Sequence, residues 1–290
     1  MATKQFDPFK SGGGRGIEWT DLTVNPLGGC KHACRWRMPD GTIAVCYAET
    51  LANSGLAKAG YPQGFEHAYW RGEKGLKDLK AGGVPMLIFP DSMSDLFGAW
   101  QDEAQVTAVL AAMAEAGHHT YQSLTKAPKR LLKWIDRFPP NLWVGVSSAP
   151  DFFLGRELSR DQQERYMHSA LQALAAVRAR GHVVWMSVEP LSWDVADILA
   201  AYPGVLDWAI IGAASNGRRY FQPDARHVDR LLDVLDAQGV AVFYKGNLKP
   251  TFETWAFPTP AKNRWRVDFP VRSVPGSPFQ GPAPAVVRRQ

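Results

Sequence analysis

Leu142-Trp-Val-Gly-Val-Ser147, then Ser159 through Gly181, then Val183-Val-Trp-Met-Ser-Val-Glu189 reads as strand, helix, strand. The two flanking runs are short, apolar and rich in β-branched and aromatic residues, as buried strands are. Ser159 is placed to cap a helix that runs to Arg180, and Gly181 to end it. Two strands joined by one long crossover helix lie parallel.

The same unit recurs in both directions. Candidate strands are Ile17–Val24, Val84–Phe89, His119–Leu124, Leu142–Val146, Val183–Val188, Trp208–Ile211 and Val240–Tyr244. Candidate helices are Asp102–Ala116, Pro128–Phe138, Ser159–Arg180 and Pro223–Gln238. This alternation predicts an α/β fold, a full or partial TIM-like (β/α) barrel of six to seven parallel strands. No dinucleotide-type glycine fingerprint follows the first strand, which argues against a doubly wound sheet. The barrel is expected over residues 17–256, after a Gly-rich lead-in at 1–16 and before a Pro/Arg-rich strap or tail at 257–290.

Nearly every candidate strand ends in polar residues. They are Asn25; Asp91, Ser92, Ser94 and Asp95; Ser123, Thr125 and Lys126; Ser147 and Ser148; Ser187 and Glu189; Ser215 and Asn216; Lys245 and Asn247. A parallel barrel gathers these ends on one face, where sites are built. Glu189 and Lys245 stand directly against apolar runs, which ordinary loop polarity explains less well.

The chain has 290 residues, 46% of them hydrophobic, and a net charge of +5. No apolar run reaches membrane-spanning length, and the polar N-terminus is no secretory signal, so a cytoplasmic protein without a membrane partner is expected. Basic charge favours anionic partners, nucleic acid among them. Lys126, Lys129, Arg130 and Lys133 read mainly as a solvated helix face, and most of the eleven tryptophans as core.

The only cysteines are Cys30, Cys34 and Cys46, in the loop 25–49 after the first strand. Three thiols cannot all pair, so this is no disulfide framework. The spacing is Cys-x3-Cys-x11-Cys, and the long interval holds the turn signal Pro39-Asp40-Gly41 between Trp36, Met38 and Ile43, Val45. A hairpin there brings Cys34 and Cys46 together. Four readings stand: a zinc site completed by His32, a cluster with a fourth protein ligand, a four-iron cluster with one open iron, and ordinary thiols.

Asn25-Pro-x-x-Gly-Cys30, Cys46-Tyr-Ala-Glu49, Asp91-Ser-Met-Ser-Asp-Leu-Phe97 and Gln122-x-Leu-Thr-Lys126 resemble a phage- and bacteria-associated three-cysteine family. That family is related to the radical S-adenosylmethionine (SAM) superfamily, near its spore photoproduct lyase branch. Trp143-Val-Gly-Val-Ser147, Ser187-Val-Glu-Pro190, Trp208-x-Ile-Ile-Gly212 and Phe243-x-Lys245 extend the resemblance. It implies a radical-SAM-like barrel in which Cys30, Cys34 and Cys46 ligate a [4Fe-4S] cluster. An electron donor protein would reduce the cluster, SAM would be cleaved, and the resulting 5′-deoxyadenosyl radical would abstract a substrate hydrogen. The implied substrate class is nucleic acid or a nucleotide, and a partner protein can complete the site.

The resemblance also implies residues that hold SAM. Tyr47 follows the last cysteine and takes the place of an aromatic residue that usually precedes it. Ser92, Ser94 and Asp95 stand where Gly-Gly-Glu is usual and would accept the SAM ammonium. Glu189 would bind ribose hydroxyls or the ammonium, and Lys245 a carboxylate or phosphate; Ser147 and Ser215 line the same face. The chain reads Gly212-Ala-Ala-Ser215 where Gly-Gly-Glu-Ser is usual. From a different class, the alternative is a non-catalytic, zinc- or Fe-S-stabilised nucleic-acid-binding protein.

Overall fold

The computed structural model describes residues 17–55, 60–216 and 219–248; the expected lead-in and tail lie outside them. Seven parallel strands form one sheet: β1 (Leu22–Val24), β2 (Leu87–Pro90), β3 (Thr120–Thr125), β4 (Leu142–Ser147), β5 (Val184–Val188), β6 (Trp208–Ile211) and β7 (Ala241–Tyr244). Their spatial order is their chain order, with no reversal, and among the described residues β1 does not pair with β7. The fold is therefore a partial TIM-like barrel, open along one side.

Helices follow most strands. They are α1 (Tyr47–Ala52), α2 (Gly72–Leu79), α3 (Glu103–Glu115), α4 (Pro128–Trp134), α5 (Arg160–Ala179), α6 (Ala196–Ala200) and α7 (Ala225–Ala237). Local chemistry sets their ends. Asp102 accepts from the backbone N–H groups of Ala104 and Gln105 at 2.8 and 3.1 Å to start α3. Ser159 and Gln162 close a reciprocal capping box on α5, which stops before Gly181 at φ 91°. Several expected elements are trimmed; the strand expected from Val84 begins at Leu87. Residues 17–20 make a turn before β1, with Thr20 N–H on the Ile17 carbonyl at 3.4 Å. The expected helix to Phe138 ends at Trp134 and passes into a 3-10 turn, Ile135–Arg137.

Strand alternation splits the core in two. Outward residues such as Val144, Val146, Met186, Val188, Ala209 and Ile211 pack under the helices. Inward residues Leu87, Phe89, Trp143, Trp185, Trp208 and Phe243 fill the lower half-barrel, and Trp19, carried on the turn before β1, closes it from below. The Trp19 ring lies 5.2 Å from Trp185 and 6.1 Å from Trp208. The register sets Ser147 and Ser187 level with Ile210 and Phe243, at the top of this plug. Glu189 and Lys245 rise just beyond it, as the expected polar mouth.

Candidate metal centre

The cysteine loop is a roof over that mouth. Arg35–Arg37 and Ile43–Val45 form the expected antiparallel hairpin, Arg35 opposite Val45. Gly41, at φ 82°, occupies the left-handed backbone region that its turn requires. The hairpin brings Cys46 N–H onto the Cys34 carbonyl at 3.3 Å. Arg35 then clamps the junction, with both guanidinium N–H groups on Glu49 of α1 at 2.8 Å and one on the Cys34 carbonyl at 2.9 Å. One edge of the hairpin pairs onward with Phe152–Phe153, from the loop after β4. Its face, through Trp36, Met38 and Ala44, packs on Ala214 and Phe221 of a second hairpin after β6. The eleven-residue insertion therefore spans the mouth as well as closing the cysteine gap.

Cys30 is placed from the other side. Its N–H donates to the Phe65 carbonyl at 2.8 Å, and that of Gly29 to the Met93 carbonyl at 3.0 Å. Gly29 sits at φ 80°, and a Cβ there would stand 2.1 Å from the His67 carbonyl oxygen, so only glycine fits. Asn25 Oδ1 accepts from Ser92 Oγ at 3.2 Å and Met93 N–H at 2.8 Å, which ties the loop after β2 to the end of β1.

All three cysteines are free thiols. Burial first, then the charges of Asp95, Cys34 and Cys46, pushes the Cys30 thiol well up, while the His32 backbone N–H on its sulfur acts the other way. Cys34 is pushed up to about 12, by burial first and then by Cys46 and Asp95, against the pull of Lys126. Burial would lower Lys126, but the neighbouring Cys34, Cys46 and Cys30 sulfurs, with Asp95, outweigh it and raise it above its usual value. The thiols thus share one electrostatic neighbourhood. A cationic cluster would relieve their mutual repulsion and take them as thiolates, so this donor set fits a group bound by three cysteines.

The zinc and cluster readings ask for different sulfur spacings. Zinc needs every sulfur about 2.3 Å from one point, and no group of three His, Cys, Asp or Glu among the described residues is arranged to hold a metal ion. In a cluster each thiolate binds a different iron, so the sulfurs stand further apart. His32, the fourth ligand in the zinc reading, has Nε2–H on Asp95 Oδ2 at 2.7 Å.

The remaining expected site residues divide into frame and lining. Asp95 is buried and accepts from Thr125 Oγ1 (2.8 and 3.0 Å), Lys126 N–H (2.8 Å) and Phe97 N–H (3.0 Å) as well as His32. Burial alone would raise it; the His32 contact and the other donors outweigh this and hold it below the usual carboxylate value. Ser94 Oγ donates to the Gly29 carbonyl at 2.9 Å and accepts from Gln101, and Ser92 Oγ is held by Asn25. These three frame the site.

Tyr47 lies in the lining, its side chain 55% exposed beside Cys46 and its hydroxyl on the Ser92 carbonyl at 2.7 Å. Glu189 and Lys245 pair across the mouth, and Gly212 leaves room for that pair, since a Cβ there would meet Glu189 Cγ at 2.7 Å. Ser147 Oγ accepts from Lys126 Nζ at 3.0 Å. Ser215 is exposed on the second hairpin. A cavity of about 460 Å³ opens beside Cys30, with Arg35, Glu49, Phe65 and His67 in its wall.

Sequence reasoning placed Lys126 among the strand-end residues of the mouth but left out Trp36, read there only as a flank of the hairpin turn. The Lys126 ammonium lies 5.9 Å from the Trp36 ring under the roof. Gln122-x-Leu-Thr-Lys126 was the signal for the lysine: alternation along β3 turns Gln122, Leu124 and Lys126 inward together.

Residues 14–253 match the family model described as a protein of unknown function, DUF5131. The chain belongs to that family. No curated protein matches it. Among solved structures, this DUF5131 chain is similar to a single-site mutant of spore photoproduct lyase, with TM-score 0.50 and 12% identity over 84% of this chain and 80% of that one. Two further similar structures are spore photoproduct lyase complexed with dinucleoside spore photoproduct (TM-score 0.48, 13% identity, 76% and 74% covered) and a double mutant with bound AdoMet and that dinucleoside (0.47, 11%, 77% and 75%). At such identity the likeness to the first of these is one of fold alone.

Proposed function

We propose that this chain is a radical SAM enzyme whose Cys30, Cys34 and Cys46 hold a [4Fe-4S] cluster with one open iron. The observation that carries the reading is the convergence of the chain's three free thiols, beside the Lys126 ammonium, under a roof over a half-barrel mouth. Such a cluster, when bound and reduced, supplies the electron that cleaves SAM to methionine and a 5′-deoxyadenosyl radical, which takes a hydrogen atom from substrate.

The chain's own residues position and shield. Lys126, steadied by Ser147, offers a cation to a carboxylate. Tyr47, next to Cys46 and tethered through its hydroxyl, offers a flat ring to adenine. Glu189 and Lys245 offer an acceptor and a donor to ribose hydroxyls. Ser92, Ser94 and Asp95 act as frame, in keeping with their internal partners. The roof hairpin keeps water from the mouth, as radical chemistry requires. A net charge of +5 supports an anionic substrate, a nucleic acid or nucleotide, with an electron donor protein as partner.

Anaerobic reconstitution with iron and sulfide tests this. The expected result is about four irons per chain, visible absorption, and release of 5′-deoxyadenosine from SAM on reduction. One zinc per chain with no SAM binding would sink it. A Cys34→Ala variant that loads the same cluster would refute the ligand assignment.

A further inference from the structure

His32 lies between two of the cysteines, yet its side chain turns away from them. The ring is 5% exposed, stacked on Phe153 (centroids 4.8 Å, planes 24° apart) and edge-on to Trp100 at 4.8 Å. Nε2–H reaches Asp95 Oδ2 at 2.7 Å. The backbone of the same residue works in two more directions: its N–H meets the Cys30 sulfur, and its carbonyl accepts from Leu154 N–H at 2.7 Å. The next residue, Ala33, has φ 52°, a left-handed conformation that is unfavourable for a non-glycine residue. Such a turn must be held from outside.

Asp95 is what holds it. It sits in the loop after β2, buried, and takes Thr125 Oγ1 and Lys126 N–H at the end of β3 on the carboxylate that receives His32. Its own carbonyl is held by Gln101 Nε2 at 2.7 Å. One carboxylate therefore fixes both the turn that carries Cys30 and Cys34 and the backbone that carries the Lys126 ammonium.

We infer that Asp95 and His32 form a positioning strut that sets the shape of the Cys30–Cys34 turn and its distance from Lys126, and through that turn the geometry of the bound cluster. This rests on the cluster reading above. His32 is a positioning residue: it holds the ligand turn and touches no reacting atom. Such outer contacts are worth roughly 10–100-fold in metal affinity.

Two variants of one residue separate the hydrogen bond from the packing. His32→Phe keeps a ring between Phe153 and Trp100 but loses the donor. His32→Gln keeps an amide N–H near the Nε2 position but loses the ring. After anaerobic reconstitution without SAM, iron affinity is read by chelator competition and cluster geometry by the g-values of the reduced state. The strut requires His32→Gln to match the parent in both. It requires His32→Phe to lose roughly 10-fold or more in iron affinity and to shift its g-values.

If His32→Phe matches the parent, ring packing is the whole role and the inference falls; if His32→Gln fails as badly as His32→Phe, the hydrogen bond alone does not set the turn and the inference falls as well. Should His32→Phe not fold, His32→Gln alone decides, because packing and strut make opposite forecasts for it. A parent chain that takes up zinc and no iron defeats the cluster reading instead, a different outcome from a loaded parent with an indifferent His32→Phe.

Discussion

The two ends of the same seven strands are built for opposite tasks. Below, Trp19, Trp143, Trp185 and Trp208 pack edge to face or tilted into one buried apolar cluster. Above, the same inward columns change to Lys126, Ser147, Glu189 and Lys245 within two to four residues. The lower end gains by excluding water from large apolar surfaces, and the upper end keeps charges that a packed core would not tolerate unpaired. A barrel interior is thus a packed core for most of its depth, and its site is the last turn of each strand.

The sharpest way to break this contrast is at the plug. Trp185→Ala removes a fully buried indole and should cost about 3–5 kcal/mol, read by urea unfolding. A smaller loss would mean that the lower barrel is loosely filled. Gly145 sets how deep the plug reaches: a Cβ there would meet the Trp185 ring at 2.3 Å. Gly145→Ala should therefore destabilise by roughly 1–3 kcal/mol, and an unchanged midpoint would show that the indole can swing aside.

Asp91 marks the boundary between the two ends. It is buried at φ 64°, with Leu27 N–H on Oδ1 at 3.3 Å and no partner on Oδ2. Burial first raises its carboxyl well above the usual range; Leu27 opposes this and Asp95 adds to it. The folded state then binds this proton more tightly than the unfolded chain. Its stabilising contribution is full below the unfolded value of about 4 and is lost as pH rises from there towards the folded value. Asp91→Asn, which tolerates positive φ, should flatten that decline in melting temperature. An unchanged slope would place the titration elsewhere.

The smallest effect is expected at the mouth itself. A double-mutant cycle on Glu189→Gln and Lys245→Met should give a coupling of about 0.2–1 kcal/mol, because both side chains are about a quarter exposed. A much larger value would make the pair a structural brace rather than part of the lining.

The strands were legible because each is a short apolar run bounded by polar ends, and β4, β5 and β6 fall where alternation puts them. The hairpin was legible from Pro39-Asp40-Gly41, but its role as a roof was not. Its partner, Phe152–Phe153, is two residues long, too short to carry a period. Helix α2 went unread because it begins on glycine, with Arg71 as a cap that makes no side-chain bond. Asp95 looked like a free carboxylate beside a ligand. Nothing local shows that His32, Thr125 and Lys126, distant in sequence, converge on it.

The hairpin between Cys34 and Cys46 has a consequence for the order of folding. Turn-directed pairing of this kind forms in about 1–10 μs, long before a sheet whose neighbours are a helix apart in sequence can assemble. Two of the three thiols are therefore neighbours early in folding. The anchors at Asp95 and Phe152 must come from residues far downstream. The ligand set is local and its rigidity is not, so a chain interrupted before β2 would bring Cys34 and Cys46 together without fixing them.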